Sequence, residues 1–288
     1  MLTSEQIERR ARGLGGSDAP IVCGESARMT ALDLFHVKRG EIADPGGLEH
    51  EAWVGSHAEP VIDAWYQRAA EVKTRQVHKT RVHRKWPWML GHPDRLIVGE
   101  KRGTEYKLRA RSTDWGPTGT DMVPADVRLQ CQHYMEVMGY ELWDVAVWLP
   151  PFDFRLYTLE RDRGIAEALI DLEHAFWRRV QEDDPPPPDY EHSTTGGLLE
   201  RMYPGTDGRT LNLPEMCTHW HEVYQDAREQ RLNYEKAEAA ARNHLLHVMQ
   251  WHAVGYLHQG DGAAYIRETR PDGSLKRFYH KGAPKRGQ

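Results

Sequence analysis

Residues 91–107 read GHPDRLIVGEKRGTEYK. The two β-prone runs of this stretch are bounded by glycine and proline, a pattern that predicts short neighbouring strands. Side chains two positions apart on a strand point to the same face, so Glu105 and Lys107 are predicted to project into one site. Tyr106 is predicted to point to the opposite face, and Asp94 to enter the site from the end of the adjacent strand.

Two carboxylates and a lysine in one site have a clear chemical use. Oxygen-only ligands favour Mg²⁺ or Mn²⁺, and such a cation polarises a phosphodiester and lowers the pKa of a bound water. Lys107 is predicted to orient that water or help to deprotonate it, and to offset charge in the transition state. Taken alone, an Asp followed eleven residues later by Glu-x-Lys also fits a surface strand with salt bridges.

The segment upstream predicts a phosphate-binding turn. Residues 13–24 read GLGGSDAPIVCG, which is typical of a glycine-rich turn that opens a helix, with Ser17 or Asp18 near the cap. Backbone N–H groups of such a turn can bind phosphate, so Ser17 is a candidate ligand. Asp18 is interpreted as a helix cap rather than a ligand.

The remaining pattern predicts an α/β domain followed by an extension. Helical spacing covers residues 48–70, 124–140 and 164–181, and two strands flank Pro150-Pro151. Prolines 185–188 cannot continue a helix, so we predict a first domain over residues 1–190. Residues 191–288 are predicted to form a linker (191–214), a long helix (219–250) and a hairpin around residues 271–273.

Composition bounds the class of protein. The 288 residues carry a net charge of −5, yet Arg68 to Arg111 hold thirteen Lys and Arg against four acids. Such a stretch can face phosphates, although it also fits a solvated basic face without a partner. Three separated cysteines suit a reducing compartment, and neither a membrane-length apolar run nor a secretory h-region is found. We therefore expect a cytoplasmic protein.

Several motifs occur in a fixed order between residues 10 and 190. They are Gly15-Gly16-Ser17-Asp18, Gly55 with Glu59-Pro60, Asp94, Glu105 with Lys107, Trp115, Pro124, Gln130-Cys131-Gln132-His133-Tyr134, Phe176-Trp177 and the prolines 185–188. This set resembles the YqaJ-like viral recombinase and lambda exonuclease family within the PD-(D/E)xK nucleases. Val127 stands where the family often has an aromatic residue, and Tyr106 where an aliphatic residue is common.

The resemblance implies a restriction-endonuclease-like α/β core, a mixed central sheet flanked by helices, with a C-terminal helix and hairpin extension. It implies that Glu59 joins Asp94 and Glu105 in holding Mg²⁺ or Mn²⁺, with two ions, and that Gln130 orients the phosphate or the lysine. It further implies that Arg10 and Ser17 bind a DNA 5′-phosphate. Glu59 also fits an ordinary solvent-facing glutamate, Gln130 a surface amide, and Arg10 a surface charge.

The implied function is Mg²⁺-dependent 5′→3′ digestion of one strand of linear double-stranded DNA in a bacterial or phage-infected cell. This activity would leave 3′ single-stranded overhangs for phage-type recombination. The implied partners are double-stranded DNA, a single-strand annealing protein and further copies of the chain in a ring-like trimer, with no membrane. Two alternatives stay open: a nuclease of the same fold with other polarity or endonucleolytic action, and a non-catalytic DNA-binding or assembly module.

Overall fold

A computed structural model describes residues 12–44, 49–258 and 262–282. The chain divides into two units, Met1–Asp207 and Gly208–Gln288. None of the described helices combines the length and the apolar character needed to cross a membrane.

A five-stranded mixed sheet forms the centre of the first unit. The strands of this unit are β1 (Thr74–Gln76), β2 (Arg81–Val82), β3 (Leu90–Gly91), β4 (Arg95–Ile97), β5 (Arg102–Leu108), β6 (Leu142–Leu149) and β7 (Asp153–Glu160). Their order in the large sheet is β1-β4-β5-β6-β7, while β2 and β3 form a separate pair. Only β5 and β6 run parallel in the large sheet; its other described neighbours are antiparallel.

Helices cover both faces of this sheet. They are α1 (Ala19–Val22), α2 (Ala31–Lys38), α3 (Glu49–Ala69), α4 (Ala125–Met138), α5 (Arg163–Glu182) and α6 (Thr195–Met202). On one face Ile62 and Tyr66 of α3 pack with Tyr106, and on the other Val127 of α4 packs with Val145. The two faces alternate along β5 because successive strand residues point in opposite directions. The predicted α/β architecture, a mixed sheet flanked by helices, is confirmed.

The segment after the prolines differs from its prediction as a loop-rich linker. Helix α6 lies within it, and Leu198 is fully buried. Arg201 donates to Asp33 at 2.8 Å, and His192 Nε2 bonds the carbonyl of Ser26 at 2.8 Å. These contacts tie residues beyond 190 to the first unit, which extends to Asp207.

The second unit contains a long helix and a small antiparallel sheet. Helix α7 spans Cys217–Met249, and the strands are β8 (Val254–Tyr256), β9 (Ala264–Thr269) and β10 (Leu275–Lys281), in the order β10-β9-β8. The turn between β9 and β10 is closed by a hydrogen bond from the N–H of Arg270 to the carbonyl of Ser274, with Gly273 at a positive φ. The predicted helix and hairpin are confirmed, and β8 is an additional strand of three residues.

Candidate active site

Asp94 is fixed beside the middle of β5 by a backbone hydrogen bond. The carboxylate Oδ2 accepts from the N–H of Tyr106 at 2.7 Å. Paired residues of β4 and β5 are Arg95 with Thr104 and Leu96 with Gly103, so Asp94 lies just before the ladder begins. This bond holds an acid from one strand end against the neighbouring strand, as the sequence predicts.

Glu105, Lys107 and Gln130 form one hydrogen-bonded group. Lys107 Nζ donates to Glu105 Oε1 at 2.7 Å and to Gln130 Oε1 at 2.8 Å, while Gln130 Nε2 donates to Glu105 Oε1 at 2.7 Å. Glu105 is only 4% exposed, and its second oxygen, Oε2, is buried without a hydrogen-bond partner among the described residues. One carboxylate oxygen is therefore held by the lysine and the amide, and the other is left for a further partner.

Tyr106 points away from this group, as the strand periodicity predicts. Its hydroxyl donates to Asp63 Oδ1 at 2.6 Å on the side of helix α3. Its ring packs with Ile62 and Tyr66, so the larger side chain at a position where the family commonly has an aliphatic residue is accommodated in that core.

Negative charge is crowded around Asp94. Burial raises the pKa of Asp94 well above its ordinary range, and the charges of Glu105 and Glu59 raise it further. Burial also raises the pKa of Glu59, a half-buried helix residue, against the opposing charge of Arg95. Such a cluster is stabilised either by protons or by a cation.

The acid cluster fits a hard divalent cation by its donor chemistry. The free, buried Oε2 of Glu105 and the half-buried carboxylate of Asp94 are the oxygen donors that Mg²⁺ and Mn²⁺ prefer. Within the described part of the chain, no three His, Cys, Asp or Glu side chains are grouped closely enough to form a metal site by themselves. The participation of Glu59 and the number of ions thus stay predictions.

Two clefts meet at the acid cluster. A larger cleft of about 830 Å³ follows β5 past Lys107 to Pro150, and we call it the β5 cleft. A second, of about 350 Å³, reaches residues 15–17 and Tyr134, and we call it the glycine-turn cleft. The residues common to both are Ser56, Glu59, Asp94 and Glu105. An extended ligand can therefore contact the acids from two directions.

Pro60 lies inside helix α3, next to Glu59, and removes one backbone hydrogen bond without ending the helix. A proline has no N–H, so it cannot donate to the carbonyl of Ser56 four residues earlier. Ser56 and Glu59 line both clefts. At the junction of the clefts, the Glu-Pro pair therefore provides an acid, Glu59, and leaves the carbonyl of Ser56 without its usual helical donor.

Hydrogen bonds fix the glycine-rich turn against β3. The N–H of Leu14 donates to the carbonyl of Trp88, and the N–H of Leu90 donates to the carbonyl of Leu14, both at 2.7 Å. Ser17 lines the glycine-turn cleft together with Asp94 and Glu105. The predicted phosphate ligand thus lies in the same cleft as the acids, whereas Arg10 lies outside the described residues.

Asp18 takes the predicted helix-cap position, but its side chain does not cap the helix. It stands at the N-cap position of α1, a helix of only four residues, but its side chain makes no capping hydrogen bond. Instead Oδ2 accepts from the N–H of Gly15 at 2.8 Å and from Lys38 Nζ at 2.6 Å. Asp18 closes the turn and pairs with a buried lysine from another helix, a partner that its local sequence does not reveal.

Tyr134 is a site residue that the sequence interpretation missed. Gln130 Nε2 donates to the Tyr134 hydroxyl at 3.3 Å, and that hydroxyl donates to the carbonyl of His92 at 3.3 Å. Gln130 and Tyr134 are four residues apart on α4, so they share a helix face. This spacing is the available signal. Through its hydroxyl, Tyr134 joins the group of Glu105, Lys107 and Gln130 to the segment that carries Asp94.

The residues between them hold helix α4 in place. Cys131 is buried in the core, and Gln132 donates to the carbonyl of Glu160 at 2.8 Å. His133, fully buried, contacts Glu173 at 2.8 Å and the carbonyl of Leu90 at 2.9 Å. The five-residue motif therefore presents its first and last members to the site and anchors the helix with the middle three.

Comparison with known proteins tests the family resemblance. Residues 6–141 match the family described as YqaJ-like viral recombinase domain, and this range includes each predicted site residue from Arg10 to Gln130. The uncharacterized protein YqaJ of Bacillus subtilis (strain 168) is 24% identical over 262 residues, covering 89% of this chain and 81% of that protein. The resemblance derived from the motifs is confirmed.

The fold is similar to that of an alkaline exonuclease, LHK-Exo from Laribacter hongkongensis. One crystal structure of that protein matches with a TM-score of 0.51 and 16% identity, covering 63% of this chain and 94% of the other. A second, in complex with dAMP, matches with a TM-score of 0.54 and 15% identity, covering 69% and 97%. At these identities the likeness establishes the fold, which is of the expected restriction-endonuclease-like class. Residues 6–141 of this chain are thus similar to the YqaJ-like viral recombinase domain, and the fold is similar to that of an alkaline exonuclease.

Proposed function

We propose that this protein is a Mg²⁺- or Mn²⁺-dependent exonuclease that digests one strand of linear double-stranded DNA from its 5′ end. The observation that carries the proposal is the group formed by Asp94, Glu105, Lys107 and Gln130 at the junction of two clefts. An acid, a cation and an amide in mutual contact, with a second acid held on the same strand, have a catalytic use for phosphodiester hydrolysis, which a simple surface strand would not require.

Asp94 and Glu105, with Glu59 assisting, would hold the divalent cation. The cation would supply Lewis-acid polarisation of the phosphodiester and a water of lowered pKa. The protein contributes the fixed positions of the two acids, since Asp94 is tied to β5 and Glu105 is tied to Lys107 and Gln130. Preorganised groups of this kind lower the cost of reorganisation in the transition state.

Lys107 acts as a cation rather than as a general base in this arrangement. Burial is the largest single influence on the pKa of Lys107 and lowers it, but the charge and the hydrogen bond of Glu105 and the charge of Asp94 together outweigh burial, and the net direction is upward. A protonated ammonium cannot accept a proton from water. Of the two roles that the sequence leaves open, orienting the water and offsetting charge on the phosphate is therefore favoured over deprotonation.

Gln130 positions Lys107. Its carbonyl oxygen accepts from Lys107 Nζ, and its amide donates to Glu105 and to the Tyr134 hydroxyl. An amide in this place can support the lysine without adding charge. Of its two predicted roles, orienting the lysine is the one that these contacts favour.

The proposed 5′ polarity is supported by the glycine-turn cleft. Ser17 lines that cleft, whereas Lys107 lines the β5 cleft, and Arg10 is seven residues upstream of Ser17. A terminal phosphate bound there would leave the adjacent phosphodiester near the acids. The annealing partner and the trimeric ring remain proposals that rest on the family resemblance, and residence in the cytoplasm remains one that rests on the three separated cysteines.

The decisive experiment uses a linear duplex with a 5′-phosphate, labelled at the 3′ end of one strand at a time. We expect the labelled strands to shorten from their 5′ ends with Mg²⁺ and to remain intact in EDTA. Shortening from 3′ ends would support the alternative polarity, and cutting of a closed circular duplex would support endonuclease action. Binding without cleavage at any divalent cation would support a non-catalytic module.

A further inference from the structure

Positive charge in the second unit is concentrated in its small sheet. Residues 262–282 hold five Lys and Arg against two acids, whereas residues 217–249 of helix α7 hold four against five. Arg277 and Lys281 are exposed on strand β10, and neither forms a salt bridge with any residue of the described ranges. The nearby acid Glu268 accepts from the hydroxyl of Tyr279 at 3.2 Å.

One face of this sheet combines aromatic rings with these cations. Residues paired across an antiparallel sheet point to the same side. On this side the residues that lie opposite one another form three rows across the strands: Val254, Ile266 and Tyr279; Tyr256, Ala264 and Lys281; and Glu268 with Arg277. Tyr256 is 76% exposed and Tyr279 is 40% exposed. We call this side the tyrosine face.

The opposite side is partly covered by the second unit itself. A Cβ on Gly255 would lie 3.1 Å from the side chain of Met249, the last residue of α7. Arg267 donates to the carbonyl of Gln250, and Tyr265 stacks on Phe278 with ring centroids 5.3 Å apart. These contacts of the helix end are thus made on this side, whereas Val254, Tyr256 and Tyr279 on the tyrosine face are exposed around the buried Ala264.

We propose that the tyrosine face binds single-stranded DNA, namely the strand that digestion leaves behind; the source of that strand rests on the proposed function. Exposed aromatic rings flanked by cations are what single strands require, because bases stack on the rings and phosphates meet the cations. A duplex has its bases already stacked and offers the rings no free base. Arg277 and Lys281 form no salt bridge within the described ranges, and the phosphates of a strand would supply that partner.

Binding is measured on the full chain with a fluorescent oligothymidylate in EDTA, so that no digestion interferes. The variant Tyr256→Ala/Lys281→Ala is compared with Tyr234→Ala/Lys236→Ala, the same two residue types on exposed helix α7. We expect the first variant to bind at least about tenfold more weakly and the control to bind as wild type, since loss of one stacked base has an effect of this size. Equal affinities for wild type and both variants would overturn the proposal.

The salt dependence gives a second, independent reading. Each phosphate neutralised on a single strand contributes about 0.7 to the slope of log K against log salt, so Arg277→Ala/Lys281→Ala should reduce that slope by about 1.4. An altered oligomeric state with unchanged oligonucleotide affinity would overturn the proposal and identify a protein interface. Mg²⁺-dependent cleavage of a short duplex is measured on the same variants. Variants that still cleave the duplex but bind the single strand more weakly support the inference. If wild type does not cleave at all, the proposed function fails, and the strand-binding result stands on its own.

Discussion

A Cβ atom placed on Gly16 would lie 2.5 Å from Cε1 and 2.6 Å from Cζ of Tyr134. The glycine-rich turn therefore rests directly on the ring whose hydroxyl contacts Gln130 and the carbonyl of His92. We expect Gly16→Ala to destabilise the protein by about 1–3 kcal/mol, as overpacking does, and to lower cleavage by displacing that ring. Denaturant unfolding and cleavage rates measure the two effects.

Gly15→Ala is the matched control for this prediction. The nearest atom to a Cβ on Gly15 is Oδ2 of Asp18 at 3.8 Å, an ordinary contact distance. This variant should unfold near the wild-type midpoint, and Gly16→Ala should be less costly in a Tyr134→Ala background. Equal losses of unfolding free energy in Gly15→Ala and Gly16→Ala would show that Tyr134 does not support the turn.

Removal of either acid should abolish cleavage without unfolding the protein. Asp94→Asn and Glu105→Gln keep the shape of the side chains but remove the negative charge that a divalent cation requires. Circular dichroism and binding to a duplex in EDTA should resemble wild type. Glu182→Gln, an exposed helix glutamate, serves as control and should cleave normally. Cleavage by Asp94→Asn at the wild-type rate would show that Asp94 does not hold the cation.

Local periodicity accounts for the parts of the site that the sequence predicted. Glu105 and Lys107 are two residues apart on one strand, so their common direction follows from strand geometry alone. The helix that carries Glu59 and the helix that carries Gln130 are amphipathic segments long enough to be recognised. The position of Asp94 followed from the turn between two strands.

Contacts distant in sequence account for what was missed. Asp18 pairs with Lys38 twenty residues later, and the ring of Tyr134 lies under Gly16 from a helix more than a hundred residues away. Neither contact has a local signal. The sequence does not indicate helix α6 because two of its eight residues are glycines. The helix depends on tertiary contacts such as the one between Arg201 and Asp33.

The acid cluster should make stability depend on pH and on divalent cations. The pKa values of Asp94 and Glu59 are raised in the folded protein, mainly by burial, so the folded state retains protons that the unfolded state releases. Stability without metal should therefore fall as the pH rises from the ordinary carboxyl range, near about 4, through the raised pKa values. Mg²⁺ should restore it, and more so at higher pH, because it binds the ionised acids.

Thermal unfolding in EDTA and in Mg²⁺ across this pH range tests the coupling. Asp94→Asn should flatten the pH dependence and reduce the stabilisation by Mg²⁺, since its side chain carries no charge. An identical pH profile for Asp94→Asn and wild type would show that Asp94 does not bear the raised pKa.

Lys107→Met should lower kcat strongly with little change in duplex affinity. The substitution keeps most of the buried volume and removes the ammonium that contacts Glu105 and Gln130. A charge aimed at the reacting phosphate acts mainly in the transition state, so the effect belongs in kcat. Single-turnover rates and binding in EDTA separate the two quantities. Arg109→Met, the next cation along the strand face and 41% exposed, is the control expected to change kcat much less. A loss of affinity alone in Lys107→Met would make the residue a DNA-binding cation.

Ser17→Ala and Arg10→Ala should reduce the preference for a 5′-phosphorylated end more than they reduce cleavage itself. A terminal phosphate carries more negative charge than an internal one, and an arginine with a serine at a glycine-rich turn suits it through charge-assisted hydrogen bonds. Loss of one such contact should cost about 1.5–3 kcal/mol, or about ten- to a hundredfold in discrimination. Rates on 5′-phosphorylated and 5′-hydroxyl duplexes are compared for wild type and each variant, with Arg12→Ala, an exposed arginine two residues away, as control. If Arg12→Ala and Arg10→Ala behave alike, or if wild type shows no preference, these residues do not read the strand end, and the 5′→3′ assignment loses its structural support.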